Sequence, residues 1–242
     1  MSKVAQQQRT IGIIGGMSWE STQTYYQLIN QGVKRELGGL HSADILLHSL
    51  DFAQIADLQA EDDWPTMTEL LMNSGLRLKA AGAQGILIAT NTMHKVADEV
   101  QTATGLPLIH IADATAAAIK AAGISKIALL GTNFTMTQDF YKQRLVDAGL
   151  TVMVPEESER NEVHRIIYKE LCQGQFTDES RRRYVAIIAQ LAEQGAEGVI
   201  LGCTEIGLLI QQADSPIPVF DTTRIHAEAA VEFLLQANNQ GL

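Results

Sequence analysis

Short apolar runs, each closed by glycine or a hydroxyl residue, alternate with longer amphipathic stretches along the chain, and this alternation most limits how it can fold. A run such as Gly85-Ile-Leu-Ile-Ala89 lacks the apolar/polar alternation of a half-buried strand. It suits a strand covered on both faces, and a strand followed by an amphipathic helix is the repeating unit of a parallel α/β sheet. Strands are expected near residues 11–14, 45–49, 85–89, 107–109, 127–130, 152–154, 199–201 and 217–220. Helices are expected near 19–36, 62–81, 92–103, 112–122, 135–148, 157–172, 178–194 and 222–237. Pro218 makes the last strand short or an edge. Asp51 with Gln54, Thr177 ahead of Asp178 and Glu179, and Asp221 each put a capping side chain before a helical period.

Charge narrows the partners. Lys plus Arg number 18 against 28 Asp plus Glu, a net charge of −10. Such a surface argues against nucleic acid or an anionic membrane, so an anionic ligand must be held by local donors. Cys172 and Cys203 are the two cysteines, with no CxxC pair and no disulfide framework, which fits a reducing, cytoplasmic compartment. Met1 to Thr10 is polar and Gln-rich, with no apolar export signal, and no apolar stretch reaches the roughly 18 residues of a membrane span. His41, His48, His94, His110, His164 and His226 show no metal-ligand spacing, so they are expected to be structural and no metal is expected. No Pro/Ser-rich linker interrupts the chain, so two domains, if present, are closely docked.

The sequence repeats itself once. Residues 81–92, Ala-Gly-Ala-Gln-Gly-Ile-Leu-Ile-Ala-Thr-Asn-Thr, lie without a gap over 194–205, Gln-Gly-Ala-Glu-Gly-Val-Ile-Leu-Gly-Cys-Thr-Glu. Thr90 then stands opposite Cys203. Any helix, glycine turn and buried strand can produce such an echo, and so can two similar halves whose strand ends face each other. Ligands of open α/β sheets bind at the carboxyl ends of strands, which makes the residues after each strand the place to look for chemistry.

Four strand exits are rich in small and hydroxyl residues: Gly15-Gly16-Met17-Ser18, Thr90-Asn91-Thr92, Gly131-Thr132-Asn133 and Cys203-Thr204-Glu205. Each precedes a helix, whose free N–H groups can hold a carboxylate. The glycines do not have dinucleotide GxGxxG spacing, no acidic residue ends the next strand, and GxxxxGK[ST], HExxH and GxSxG are absent. A cysteine at a strand exit before a helix is expected to have its pKa drawn from about 8.5 toward neutrality, which makes Cys203 a candidate base; it equally fits a small packed hydrophobe. Cys172, in an amphipathic stretch, fits packing, and Asp221 fits a helix cap.

The residues at these exits resemble the PLP-independent aspartate/glutamate racemase family over nearly the whole chain. Ile11-Gly-Ile-Ile-Gly-Gly-Met-Ser18 looks like its opening strand and loop, Asn91-Thr92-Met93-His94 is similar to its Cys-Asn-Thr-Ala-His motif, and Gly202-Cys203-Thr204-Glu205 resembles its second cysteine motif. The resemblance implies two doubly wound parallel-sheet α/β domains related by pseudo-symmetry, with the active site in the interdomain cleft. One domain would comprise 1–105 plus 215–242 and the other 106–214, commonly in a homodimer. It implies a small-molecule amino-acid substrate and no PLP, metal or other cofactor: one cysteine thiolate removes the α-proton and the opposing thiol reprotonates the other face. By the same resemblance Met17, Asn91, Thr92, Thr132 and Thr204 hold the substrate, Glu205 poises Cys203, and L-amino acids are the better observed substrates, through kcat and KM separately since kcat/KM is equal in the two directions.

One position departs from that pattern. Thr90 stands where the family usually has its first cysteine. A hydroxyl resembling water, at about 15.7, lies roughly 7 pKa units above a thiol at about 8.5, or about 10 kcal/mol, too far for an unaided base. The expected enzyme is therefore asymmetric, with Cys203 removing the α-proton and Thr90 serving the opposite face, directly or through water. The second strand exit, Leu50-Asp51-Phe52, lacks the basic residue that acidic-substrate members resemble one another in having, so an Asp or Glu side chain must find Arg160, His164, Arg165 or Lys169. Two alternatives stay open: a single-cysteine arylmalonate-type decarboxylase, and a non-catalytic amino-acid-binding module.

Overall fold

The computed structural model describes residues 8–236 and divides them into two compact units, each built on its own four-stranded parallel sheet. The polar opening noted over residues 1–7 and the last helical residue expected at 237 lie outside the described residues.

The first unit comprises the described residues up to Ala89, then Val96–Ile109, and the chain from His226 onward. Its strands β1 (Ile11–Gly15), β2 (Ile45–Ser49), β3 (Gly85–Ile88) and β4 (Leu108–Ile109) run in the order β2-β1-β3-β4. Central β1 and β3 are buried at every residue, as continuous apolar runs require, whereas edge strand β2 is partly exposed. Helices α1 (Trp19–Leu37), α2 (Phe52–Ala60), α3 (Trp64–Ala80) and α4 (Ala97–Thr104) accompany the sheet. Ser18, Asp51 and Asp63 cap the first three, accepting from the backbone N–H groups of Ser21, Ala53 and Thr66. Gly16, just after β1, has φ +87, and a Cβ there would lie 2.1 Å from the Leu50 carbonyl oxygen, so this turn admits no side chain. His226 is fully buried; its Nε2 donates to the Ile109 carbonyl at 2.7 Å and its Nδ1 accepts from the Tyr25 hydroxyl at 2.9 Å.

The second unit comprises Thr90–Lys95 and His110–Ile225. It opens its main span with α5 (Ile111–Ala121) and continues with β5 (Lys126–Gly131), α6 (Asn133–Thr137), α7 (Asp139–Asp147), β6 (Thr151–Met153), α8 (Glu157–Lys169), α9 (Asp178–Glu193), β7 (Gly198–Gly202), α10 (Ile206–Leu209) and β8 (Val219–Asp221). The last helix, α11 (Thr222–Leu235), begins in this unit and ends in the first. The strand order is β6-β5-β7-β8, the order of the first sheet repeated. Ile127, Leu129, Val199 and Leu201 of the two central strands, with Ile166, Ile187 and Leu191 of the helices, lie in one core; each such side chain contributes about 1.5–3 kcal/mol on burial. Gly131 and Gly202 are register partners, and a Cβ on either would come within 2.8–2.9 Å of a backbone oxygen of the facing strand. The pair lets the two central strands close up at their carboxyl ends.

The chain is thus α/β with the two similar sheets that its repeat suggests, the echo falling on β3 and β7, the equivalent strands of the two orders. All eight expected strands are present, and β8 is the short edge that Pro218 requires. Several helix expectations are corrected. α2 follows the Asp51 cap but belongs to no expected helical span. The span 92–103 is a 3-10 turn, Thr92–Val96, followed by α4. The span 135–148 is α6 and α7, broken at Gln138, whose extended ψ of 154 interrupts the helix. The span 157–172 ends at Lys169, so Cys172 sits in the 3-10 turn Leu171–Gln173. Asp221 caps as expected, Oδ1 accepting from the N–H groups of Thr223 and Arg224.

Candidate active site

The second unit brings the carboxyl ends of β5 and β7 together with the segment that follows β3. Thr132 caps α6, and its hydroxyl lies 3.1 Å from that of Thr92 and 3.2 Å from that of Thr135. Asn91 is buried; its Nδ2 donates to the Thr222 hydroxyl at 3.1 Å, and that hydroxyl donates to the carbonyl of Leu201 at 2.8 Å. This chain ties the Thr90–Lys95 segment to β7. It also fixes the Asn91 amide so that Oδ1, buried and without a protein partner among the described residues, is an acceptor in need of a donor.

His94 does similar work for Thr90. Its Nε2 accepts from the backbone N–H of Ile111 at 3.2 Å, so its Nδ1 carries the proton and donates to the Thr90 carbonyl at 2.7 Å. The sequence placed His94 among structural histidines, and its spacing of four from Thr90 is the signal for this tether. Thr90 is partly exposed, and its hydroxyl makes no hydrogen bond among the described residues.

At the β7 exit Cys203 Sγ donates to Oε2 of Glu205 at 2.9 Å, and the Thr204 hydroxyl donates to the same oxygen at 2.6 Å. Glu205 and Thr204 are buried; Cys203 keeps some surface, although its sulfur has interior surroundings. Here the structure corrects an expectation. Burial first, then the charges of Glu205 and Cys172 and the hydrogen bond to Glu205, push the Cys203 thiol well above the ordinary thiol range. Helix α10 is four residues long, so little dipole offsets the carboxylate. The resting thiol is therefore protonated and poised against an acceptor. Burial, above all, raises the phenols of Tyr168 and Tyr184 as well, and both stay neutral.

The four residues considered for an acidic side chain separate clearly. Arg160 donates to the Pro155 carbonyl at 2.8 Å, Arg165 pairs with Glu170 at 3.1 Å, and Lys169 is exposed. His164 is bound to the β5 exit, accepting at Nδ1 from the Asn133 N–H at 3.1 Å. In the first unit, Met17 is buried between Gly16 and the Ser18 cap. There Arg77 of α3 reaches Nε2 of His48 on β2 at 3.4 Å, a cation beside the second strand that a reading along the chain does not find. Among the described residues no group of three or more His, Cys, Asp or Glu could hold a metal ion, and no helix is long and apolar enough to cross a membrane.

Known proteins are similar to this chain in sequence and fold. The family described as Asp/Glu/hydantoin racemase matches residues 14–230. A candidate Asp/Glu racemase from Yersinia pestis, known by its crystal structure, is 55% identical, with a TM-score of 0.88 over 94% of this chain and 100% of that chain. An aspartate racemase homologue from Pyrococcus horikoshii is 38% identical, with a TM-score of 0.80 over 93% of this chain and 99% of that one. The broad specificity amino-acid racemase RacX of Bacillus subtilis is 23% identical over 93% of this chain and 98% of its own length.

Proposed function

The chain belongs to the Asp/Glu/hydantoin racemase family, and from that premise we propose that it racemises amino acids by α-proton transfer without PLP, Cys203 serving one face of Cα and Thr90 the other. As a racemase it is an isomerase. Aspartate and glutamate, or a broader set of L-amino acids, are the proposed substrates.

The α C–H bond is a weak acid, so the site must favour both the thiolate and the carbanion. The positive α-ammonium of an arriving amino acid offsets the Glu205 charge and stabilises a thiolate. The Cys203 proton passes to Glu205 Oε2, and the thiolate then takes the α-proton. A water held by the Thr90 hydroxyl gives a proton to the opposite face, and the hydroxide left behind is neutralised by the proton parked on Glu205. Atoms and charge balance, and the threonine never has to ionise. Asn91 Oδ1 accepts from the α-ammonium, the hydroxyls of Thr92 and Thr132 serve the α-carboxylate, and Thr204, its hydroxyl kept on Glu205, lines the substrate with Met17. We further propose a cytoplasmic homodimer, with no nucleic-acid or membrane partner.

The observation that carries this reading is the 2.9 Å contact of the Cys203 thiol with Glu205, on the strand exit whose sequence repeats that of Thr90. The test is chiral chromatography of L-aspartate and L-glutamate incubated with the protein and with Cys203→Ala. D-isomer with the native protein alone supports the reading, whereas conversion retained by Cys203→Ala removes Cys203 from its central place.

A further inference from the structure

His164 and Tyr168 stand four apart on one face of α8 and pack ring to ring, centroids 4.8 Å apart. Phe134, beside the Thr132–Asn133 exit, meets the imidazole edge-on with centroids 6.3 Å apart. The ring is thereby held at the carboxyl end of β5, and its two nitrogens have different fates. Nδ1 accepts from the backbone N–H of Asn133 at 3.1 Å, which an imidazole protonated at that atom could not do. Burial lowers its pKa, so the neutral form prevails. Nε2 must then carry the hydrogen, and this donor has no partner among the described residues. Three nearby cations are committed elsewhere, Arg160 to Pro155, Arg165 to Glu170, and Arg183 to Glu159 and Glu162, and Lys169 is exposed at the end of α8. Asn133 follows Thr132, whose hydroxyl meets that of Thr92 in the candidate site. Tyr168, under the same imidazole, has its phenol raised first by burial and lies within electrostatic reach of Cys203 and Glu205.

We propose that His164 donates from Nε2 to the side-chain oxygen of the bound amino acid and so determines which side chains are preferred. The inference rests on the racemase reading above. His164 touches no reacting atom; it is a specificity residue, and its loss must act selectively.

Two substitutions and two substrates separate that role from a structural one. Asn in place of His164 keeps an acceptor near Nδ1 for Asn133 but has no distal donor, whereas Gln restores a donor near Nε2. The substrates are L-aspartate, which has side-chain oxygens, and L-2-aminobutyrate, which has none. In His164→Asn the ratio of kcat/KM for aspartate over aminobutyrate falls about tenfold, the weight of one hydrogen bond to a charged group, and His164→Gln recovers most of it. Equal losses on both substrates overturn the proposal and leave the racemase reading standing. A parallel NMR titration of the native protein, with the His164 ring signals assigned by their Overhauser contacts to the rings of Tyr168 and Phe134, guards against variants that do not fold. Aspartate should shift those signals and aminobutyrate should not; no shift with aspartate refutes the proposal. A shift with aspartate but no α-proton exchange upholds the His164 contact while ending the racemase reading.

Discussion

The Cys203 thiol and the Glu205 carboxylate meet at 2.9 Å, and the charge that joins burial in keeping the thiol protonated is also the acceptor able to take its proton. The two effects part when the carboxylate is made neutral. Glu205→Gln removes a negative charge that raises the thiol, so the Cys203 pKa falls and its alkylation by iodoacetamide begins at lower pH than in the native protein. Racemisation nevertheless drops, by about 10²-fold, because the proton acceptor is gone. An alkylation profile that moves upward or stays fixed contradicts this account of the pair.

Thr90 is asked to hold a proton donor and not to act as a base. Thr90→Ala should therefore keep hydrogen exchange at Cα of an L-amino acid, through Cys203, while formation of the D-isomer falls at least about tenfold. Deuterium incorporation and chiral chromatography on the same samples measure the two steps. Parallel loss of both places Thr90 in the removal step as well.

His226 links acid stability to the first unit. Burial lowers its pKa from 6.5 to about 4, so between those values the unfolded chain binds more protons than the folded one. Stability from this group is present above pH 6.5 and is lost as the pH falls toward 4. From pH 7 to pH 5 the loss is about 2 kcal/mol. Urea unfolding at the two pH values should show that difference, and His226→Gln should remove most of it, at a cost at pH 7 from the altered contacts with Tyr25 and Ile109.

Gly202 ends β7 just before Cys203. A Cβ there would sit 2.9 Å from both the Leu130 carbonyl oxygen and a Leu129 methyl, so Gly202→Ala must push β5 away. A loss of about 1–3 kcal/mol in urea unfolding is expected, together with weakened activity because Cys203 moves with its strand. Native stability in this variant would mean that the strands tolerate more separation than their register suggests.

Those strands were legible because parallel strands covered on both faces leave uninterrupted apolar runs, and Gly198–Gly202 is such a run. The equivalence of Thr90 and Cys203 was legible for the same reason, since repeated sheets repeat their sequence signals. Helix α2 was signalled by its Asp51 cap but is short, with Ile55 and Gln59 its buried residues, too few turns to display a period. The protonation of Cys203 was not legible, because it depends first on burial of the sulfur and then on which way a neighbouring carboxylate turns. Nor were the partners of Arg160, His164 and Arg165: these polar residues share one helical stretch, and their contacts with Pro155, Asn133 and Glu170 are tertiary facts.

The central claim is that Cys203 takes the α-proton, and proton NMR of L-aspartate and L-glutamate incubated in D2O tests it most directly. The account predicts that the α-proton signal decays with the native protein and persists with Cys203→Ala. Decay at the same rate with the variant, or no decay with either protein, would contradict it.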